Sequence, residues 1–227
     1  NQLLEEKKEI IVYFWEFFKS KSLNTQTDND LNKFKVLKAC VKHDIKIPET
    51  IVTTCKKTLR SFKIKRNRII TKNCNPGLLM GYKGYSFSGF TVEVTNEMMD
   101  SLSDHFFPTL YQEMIEKSFE LRVFYLDGKC YASAIFSQSD DQTMVDFRNY
   151  NSDTPNRTPP YKLPNYLEKK LIKLMEDINL NCGSIDLLVD KSGEYYFLEV
   201  NPVGQFSQVS FPCNYKLEEK IAKFLIQ

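Results

Sequence analysis

The sequence predicts an α+β fold built on a largely antiparallel sheet. Three observations carry this. Segments 119–126 and 129–137 alternate apolar and polar residues around Asp127-Gly128, a strong hairpin turn. Segments 183–190 and 194–201 do the same around Lys191-Ser192-Gly193. The runs of strand are broken by isolated helical segments instead of alternating with them, which favours α+β over a parallel α/β sheet. The balance of 42% hydrophobic and 26% charged residues in 227 is that of an ordered globular chain, and 13% aromatics can fill a sizeable core.

The elements follow in order. Residues 3–21 read as an amphipathic helix whose apolar side is broad for a surface helix. Residues 25–30 form a polar linker. A helix over 31–43 places Phe34, Leu37 and Val41 at helical spacing, with Asn29 or Asp30 as its cap. Strands are expected over 47–53, 68–72 and 90–94. The run Lys63-Ile64-Lys65-Arg66-Asn67-Arg68 reads as a solvated turn or exposed strand edge. A loop rich in Asn75, Pro76, Gly77, Gly81, Gly84 and Gly89 lies between. Strands 110–116, 119–126, 129–137 and 145–150 come next, then a proline-rich loop over 152–164. A clear amphipathic helix spans 165–178, the second hairpin follows, and 216–226 closes as a helix. No internal repeat is present.

Several function classes are excluded early. The charge sum, 31 basic against 29 acidic residues, gives +2 and no global argument for nucleic acid or an anionic membrane. No stretch approaches the roughly 18 apolar residues of a membrane span. Residues 10–18 are short and carry Glu16, with a flank unlike a signal peptide's. The six cysteines form no CxxC pair, so reduced thiols of a cytoplasmic protein are expected. His43 and His105 stand alone and read as structural.

The final hairpin is the most informative segment. Side chains alternate faces along a strand. Phe197, Glu199 and Asn201 therefore share one face, and Tyr196, Leu198 and Val200 the other, which is expected to be buried. If the turn pairs Asp190 with Tyr195, Asp186 lies across from Glu199. Asp186, Glu199 and Asn201 then converge as hard oxygen donors of the kind that suit Mg²⁺. Glu120 and Arg122 share a strand face, as do Asp146 and Arg148. Either pair could be a solvated ladder, or an arginine fork for phosphate or carboxylate.

Glu199-Val200-Asn201-Pro202, following Gly183-Ser184-Ile185-Asp186-Leu187-Leu188-Val189, resembles the C-terminal metal motif of ATP-grasp ligases. Asn32-Lys33, Ile47-Pro48-Glu49-Thr50, Ile69-Ile70-Thr71-Lys72, Gln112-Glu113-Met114-Ile115 and Glu120-Leu121-Arg122 fit the same family. Within it, Val145 to Tyr150, Pro160-Tyr161-Lys162-Leu163-Pro164 and Asn201-Pro202-Val203-Gly204-Gln205-Phe206 look most like the graspetide peptide maturases of the grasp-with-spasm type. The resemblance spans roughly residue 30 to the end.

The resemblance implies two α/β lobes clasping ATP, an N-terminal lobe over 31–110 and a C-terminal lobe over 111–227. Residues 1–30 would be a helix and linker left from a largely missing pre-grasp domain. It implies phosphate contacts from Lys33 and Lys72, and adenine held along Gln112, Glu113, Met114 and Ile115, with Glu120 in the nucleotide site. Mg²⁺ would be held by Asp186, Glu199 and Asn201, and Arg122 and Arg148 would steady an acyl-phosphate. The expected activity joins Asp or Glu side chains of a ribosomal precursor peptide, leader and core, to a hydroxyl or amine as macrocyclic esters or amides. The apolar side of helix 3–21 is expected to mark lost packing partners, a homodimer contact or a leader-peptide surface. The rival expectations are a ligase for a small amino acid or a protein C-terminus, and a degenerate peptide-binding module.

Overall fold

A computed structural model describes residues 2–18, 22–24, 31–74, 79–82, 85–88, 91–136 and 157–226. In chain order the elements are α1 (Gln2–Phe18), α2 (Lys33–Lys42), β1 (Thr50–Cys55), α3 (Lys56–Arg66), β2 (Ile69–Thr71), β3 (Leu79–Tyr82), β4 (Tyr85–Ser88), β5 (Val92–Glu93) and α4 (Asn96–Ser101). There follow β6 (His105–Glu113), β7 (Lys117–Leu126), β8 (Lys129–Ile135), β9 (Pro160–Tyr161), α5 (Asn165–Asp177), β10 (Cys182–Asp190), β11 (Tyr195–Asn201), α6 (Ser207–Cys213) and α7 (Leu217–Ile226). The fold is α+β, as the hairpins predict.

Among the described residues the strands form three sheets, ordered β1-β6-β2-β5, β11-β10-β7-β8-β9 and β3-β4. All their pairings are antiparallel. The stretch expected to be a glycine-rich loop thus contains the β3–β4 hairpin. The expected strand over 145–150 lies outside the described residues.

Each large sheet has its own core. In the first, Leu59 and Phe62 of α3 and Met99 of α4 bury against Ile69, Val94 and Tyr111. The basic run at 63–66 is therefore the last turn of a helix, not a strand edge. Positive charge there complements the helix C-terminus. In the second sheet, Leu121, Val123, Ile185, Leu187 and Val189 meet Leu167, Leu171, Leu174 and Met175 of α5. Burial of each such side chain stabilises by about 1.5–3 kcal/mol.

Helix α2 joins this second core through Val36, Leu37, Ala39 and Cys40. It thus packs with the C-terminal sheet, although the sequence places it in the N-terminal lobe. Its cap is Asn32, whose side chain accepts from the N–H groups of Phe34 at 3.0 Å and Lys35 at 3.2 Å. That cap sets a face on which Phe34 and Val41 remain exposed. Helix α1 exposes Leu3, Ile10, Phe14 and Phe17, so its apolar side has no cover from the described residues. Among those residues no helix is long and apolar enough to cross a membrane.

Two β-bulges set which side chains face the site. On β11 the register passes from Leu187↔Phe197 to Asp186↔Glu199, so Leu198 is an extra residue. Phe197 consequently sits in the core, fully buried, and not beside Glu199. On β7 the register passes from Val189↔Phe119 to Asp190↔Lys117, and the extra residue is Ser118. Skipping one residue returns Lys117 to the Glu120 side of the strand.

Candidate active site

The face of the second sheet opposite α5 carries the polar side chains. Pairings Arg122↔Ser133, Asp186↔Arg122 and Asp186↔Glu199 align Ser133, Arg122, Asp186 and Glu199 in one row across four strands. Paired residues of antiparallel strands project to the same face. Further along that face, Phe124 and Leu126 are covered by α6 and α7 through Val209, Leu217 and Ile221. The helices thus close one end of the face and leave the Arg122 row beyond them.

The turn premise from the sequence is off by one: Val189, not Asp190, pairs with Tyr195. The bulge at Leu198 restores the register, so Asp186 still lies across from Glu199. Two carboxylates side by side repel. Each has a cation against it. Arg122 Nη1 donates to Asp186 Oδ1 and Oδ2 at 3.3 and 3.4 Å, both residues being buried. Lys33 Nζ stands 3.5 Å from Glu199 Oε2. The sequence of charge is plus, minus, minus, plus.

Lys33 opens α2 and also donates to the Asn73 carbonyl at 3.1 Å, tying the C-terminal sheet to the chain leaving β2. Lys72 is half-buried on that same exit. Arg122 Nη2 donates to Gln205 Oε1 at 3.5 Å, and Gln208 Nε2 donates to the same oxygen at 3.1 Å. Glu120 is buried and ion-paired with Lys117. Arg148 and Asp146 lie outside the described residues.

Gln112 through Ile115 occupy the crossing from β6 of the first sheet to β7 of the second. Gln112 is buried, its Nε2 donating to Thr50 Oγ1 at 2.9 Å. Glu113 N–H donates to the Glu49 carbonyl at 2.9 Å, and Met114 N–H to the Arg68 carbonyl at 3.0 Å. Those two donors are spent within the first sheet. Among the described residues the Ile115 N–H has no such bond. Arg66 Nη1, 3.5 Å from Glu113 Oε1, fixes the crossing from outside.

The oxygen donors fit a hard cation. Asp186 and Glu199 are paired, and Asn201 pairs with Ser184 on the same face. The buried Ser184 hydroxyl beside them has no hydrogen-bond partner. Among the described residues no three His, Cys, Asp or Glu side chains gather as a metal site. Two carboxylates and an amide are a partial shell, suited to an ion that keeps water and phosphate oxygens.

Two residues of the site escape sequence reasoning. Lys117 was hidden because strict alternation puts it on the opposite face from Glu120. A lysine entering a buried apolar strand was the available signal. Gln205 stood within a quoted motif without a role, since its contact to Arg122 depends on a turn.

The fold is that of ATP-grasp ligases. Residues 30–225 match the RimK-like ATP-grasp domain, and the chain belongs to that family. It is similar over 97% of its length to a RiPP-associated ATP-grasp ligase of Chryseobacterium gregarium in complex with ADP and a leader and core peptide. The TM-score is 0.82, the identity 27%, and 67% of that chain is covered. It is similar over 100% of its length to the macrocyclase MdnC of Microcystis aeruginosa bound with precursor peptide MdnA, with TM-score 0.78, 28% identity and 71% of that chain covered. The ligase PsnB, complexed with a precursor variant, Mg and ADP, shares the fold at TM-score 0.70 and 16% identity, over 90% of this chain and 60% of that one. No curated protein sequence matches the chain.

Proposed function

We propose that the chain is an ATP-dependent peptide carboxylate ligase that forms macrocyclic ester or amide links in a ribosomal precursor peptide. The observation that supports this most is the Arg122–Asp186–Glu199–Lys33 row, set in a fold similar over nearly the whole chain to a peptide-bound RiPP ligase. On this reading ATP supplies a phosphoryl group to an Asp or Glu carboxylate, ADP leaves, and a hydroxyl or amine then displaces phosphate from the acyl-phosphate.

The chain's own residues position and neutralise. Lys33 and Lys72 would take phosphate oxygens. Asp186, Glu199 and Asn201 would hold Mg²⁺, which neutralises phosphate charge. Arg122, oriented by Asp186 and Gln205, presents its fork to the carboxylate being activated. Arg148 would act beside it. Adenine would lie along Gln112 to Ile115, with the Ile115 N–H as the donor left to it. The Lys117–Glu120 pair would hold the start of β7 against that ring. A leader and core peptide are the proposed partners, and the cytoplasm the proposed compartment.

The test is incubation with Mg²⁺-ATP and the precursor peptide encoded beside the gene, followed by intact mass. Loss of one water per linkage, abolished by Glu199→Ala, is the expected result. An unchanged peptide with free amino acids consumed instead would overturn the peptide substrate in favour of an amino-acid ligase.

A further inference from the structure

We infer that Asn24 is a positioning residue for the Asn201–Gly204 turn: its side-chain amide clamps the Pro202 carbonyl and so sets where Asn201 stands. The consequence for Mg²⁺ rests on the reading above that Asn201 is one of its oxygen donors.

Asn24 is only 3% exposed although it belongs to a short stretch remote in sequence from the site. Its backbone is left-handed, φ +57°, which asparagine tolerates better than most residues. A buried asparagine side chain has two donor hydrogens and two acceptor lone pairs to satisfy. Here each has a partner. Oδ1 accepts from the N–H groups of Asn181 at 3.0 Å and Cys182 at 3.1 Å. Nδ2 donates to the carbonyls of Cys182 at 3.0 Å and Pro202 at 2.8 Å. The amide thus imitates a strand partner for the first residue of β10 and spends its last hydrogen on the turn after β11.

The turn is built to be held this way. Asn201 Oδ1 accepts from Val203 N–H at 3.2 Å, and the Asn201 carbonyl from Gly204 N–H at 3.2 Å. Gly204 has φ +57°, and a Cβ there would come within 2.9 Å of the Phe124 ring. Gly183 lets the end of β11 approach, since a Cβ there would meet the Asn201 carbonyl oxygen at 3.1 Å. From outside the turn the Pro202 carbonyl accepts from Asn24 Nδ2 at 2.8 Å and, with a weaker donor, from Cys182 Sγ at 3.6 Å. The remaining bonds of the stretch, Asn24 N–H to Asn181 Oδ1 at 2.8 Å and Asn181 Nδ2 to the Ser22 carbonyl at 2.9 Å, anchor it without touching the turn. The Asn181 side chain therefore only anchors, whereas that of Asn24 both anchors, through Asn181 and Cys182, and clamps.

That division gives the experiment. Asn24→Asp keeps the acceptor and the tolerated backbone but removes the donor to the Pro202 carbonyl, together with that to the Cys182 carbonyl. Asn181→Ala loosens the anchor and leaves the clamp. Amide hydrogen exchange at Val203 and Gly204 reads the turn directly, and calorimetric titration of Mg²⁺ in the presence of ADP reads the site. We expect Asn24→Asp to speed exchange at both amides about tenfold or more and to weaken Mg²⁺ binding by about 10–100-fold, the range for an outer-shell partner. Asn181→Ala should lower the Tm and change neither. Equal exchange in the two variants overturns the clamp. Faster exchange in Asn24→Asp with unchanged Mg²⁺ affinity upholds the clamp and overturns Asn201 as a cation ligand. If Asn24→Asp does not fold, Asn24→Gly, which accepts φ +57° without strain, carries the same comparison.

Discussion

Arg122 and Asp186 are both buried, so each charge depends on the other for its solvation. Removing one partner of such a pair costs about 3–5 kcal/mol, because the survivor is left uncompensated. Arg122→Ala should therefore lower the unfolding free energy by that amount in urea, and Arg122→Met with Asp186→Leu should recover most of it. Arg122→Lys keeps the charge but loses the fork. On the proposed function it should cut kcat by about 10²–10³, as does the loss of one oriented donor in other enzymes. Gly204→Ala combines a left-handed backbone with a contact at 2.9 Å and should cost about 1–3 kcal/mol, read as a fall in Tm. At this scale Asp186 and Glu199 were legible because alternation puts a carboxylate on each of two hairpin strands. Their counter-ions were not. Lys33 reaches Glu199 from a distant helix, and no local pattern encodes that meeting.

Elements with strong periodicity were legible, and those set by irregularity were not. Helix α5 was evident because Leu167, Leu171 and Leu174 recur at helical spacing and all are buried. Leu171→Ala should destabilise by about 2–5 kcal/mol, checked by chemical denaturation. Helix α3 was missed because only Leu59 and Phe62 mark its inner face, while lysines and arginines dominate the composition. The bulges at Ser118 and Leu198 left no mark in the sequence, since an extra residue in a strand breaks alternation as noise does. Each reassigned side chains: Lys117 came to Glu120, while Phe197 went to the core and Tyr196, expected on the buried face, to the Asp186 face.

Across the whole molecule, burial governs the thiols. It pushes the Cys40 and Cys130 thiols up to about 12 and Cys182 up to about 11. Folding favours the protonated form at these three positions, so their contribution is intact below the ordinary value of 9.0. It is lost as the pH rises from there toward 11–12. Stability should fall across that window, and less steeply in Cys130→Ala. Cys55 is shifted the other way, chiefly by the Thr58 and Lys57 N–H groups, and Cys74 is exposed. Iodoacetamide at pH 8 should alkylate Cys55 and Cys74 well before the buried Cys40 and Cys182 and the half-buried Cys130, as peptide mapping would report. The two-core plan was legible only through the family resemblance. Neither hydrophobic pattern nor charge says that α2 packs with the later sheet, because that choice is made by contacts far apart in sequence. The extra residue in β11 has a meaning at this scale too. It acts on the strand as an inserted base acts on a reading frame. Were Leu198 an ordinary paired residue of the ladder, everything downstream would be read on the wrong side: Glu199 turned into the apolar core, Val200 out toward solvent, and the loop to α6 delivered to the other face of the sheet.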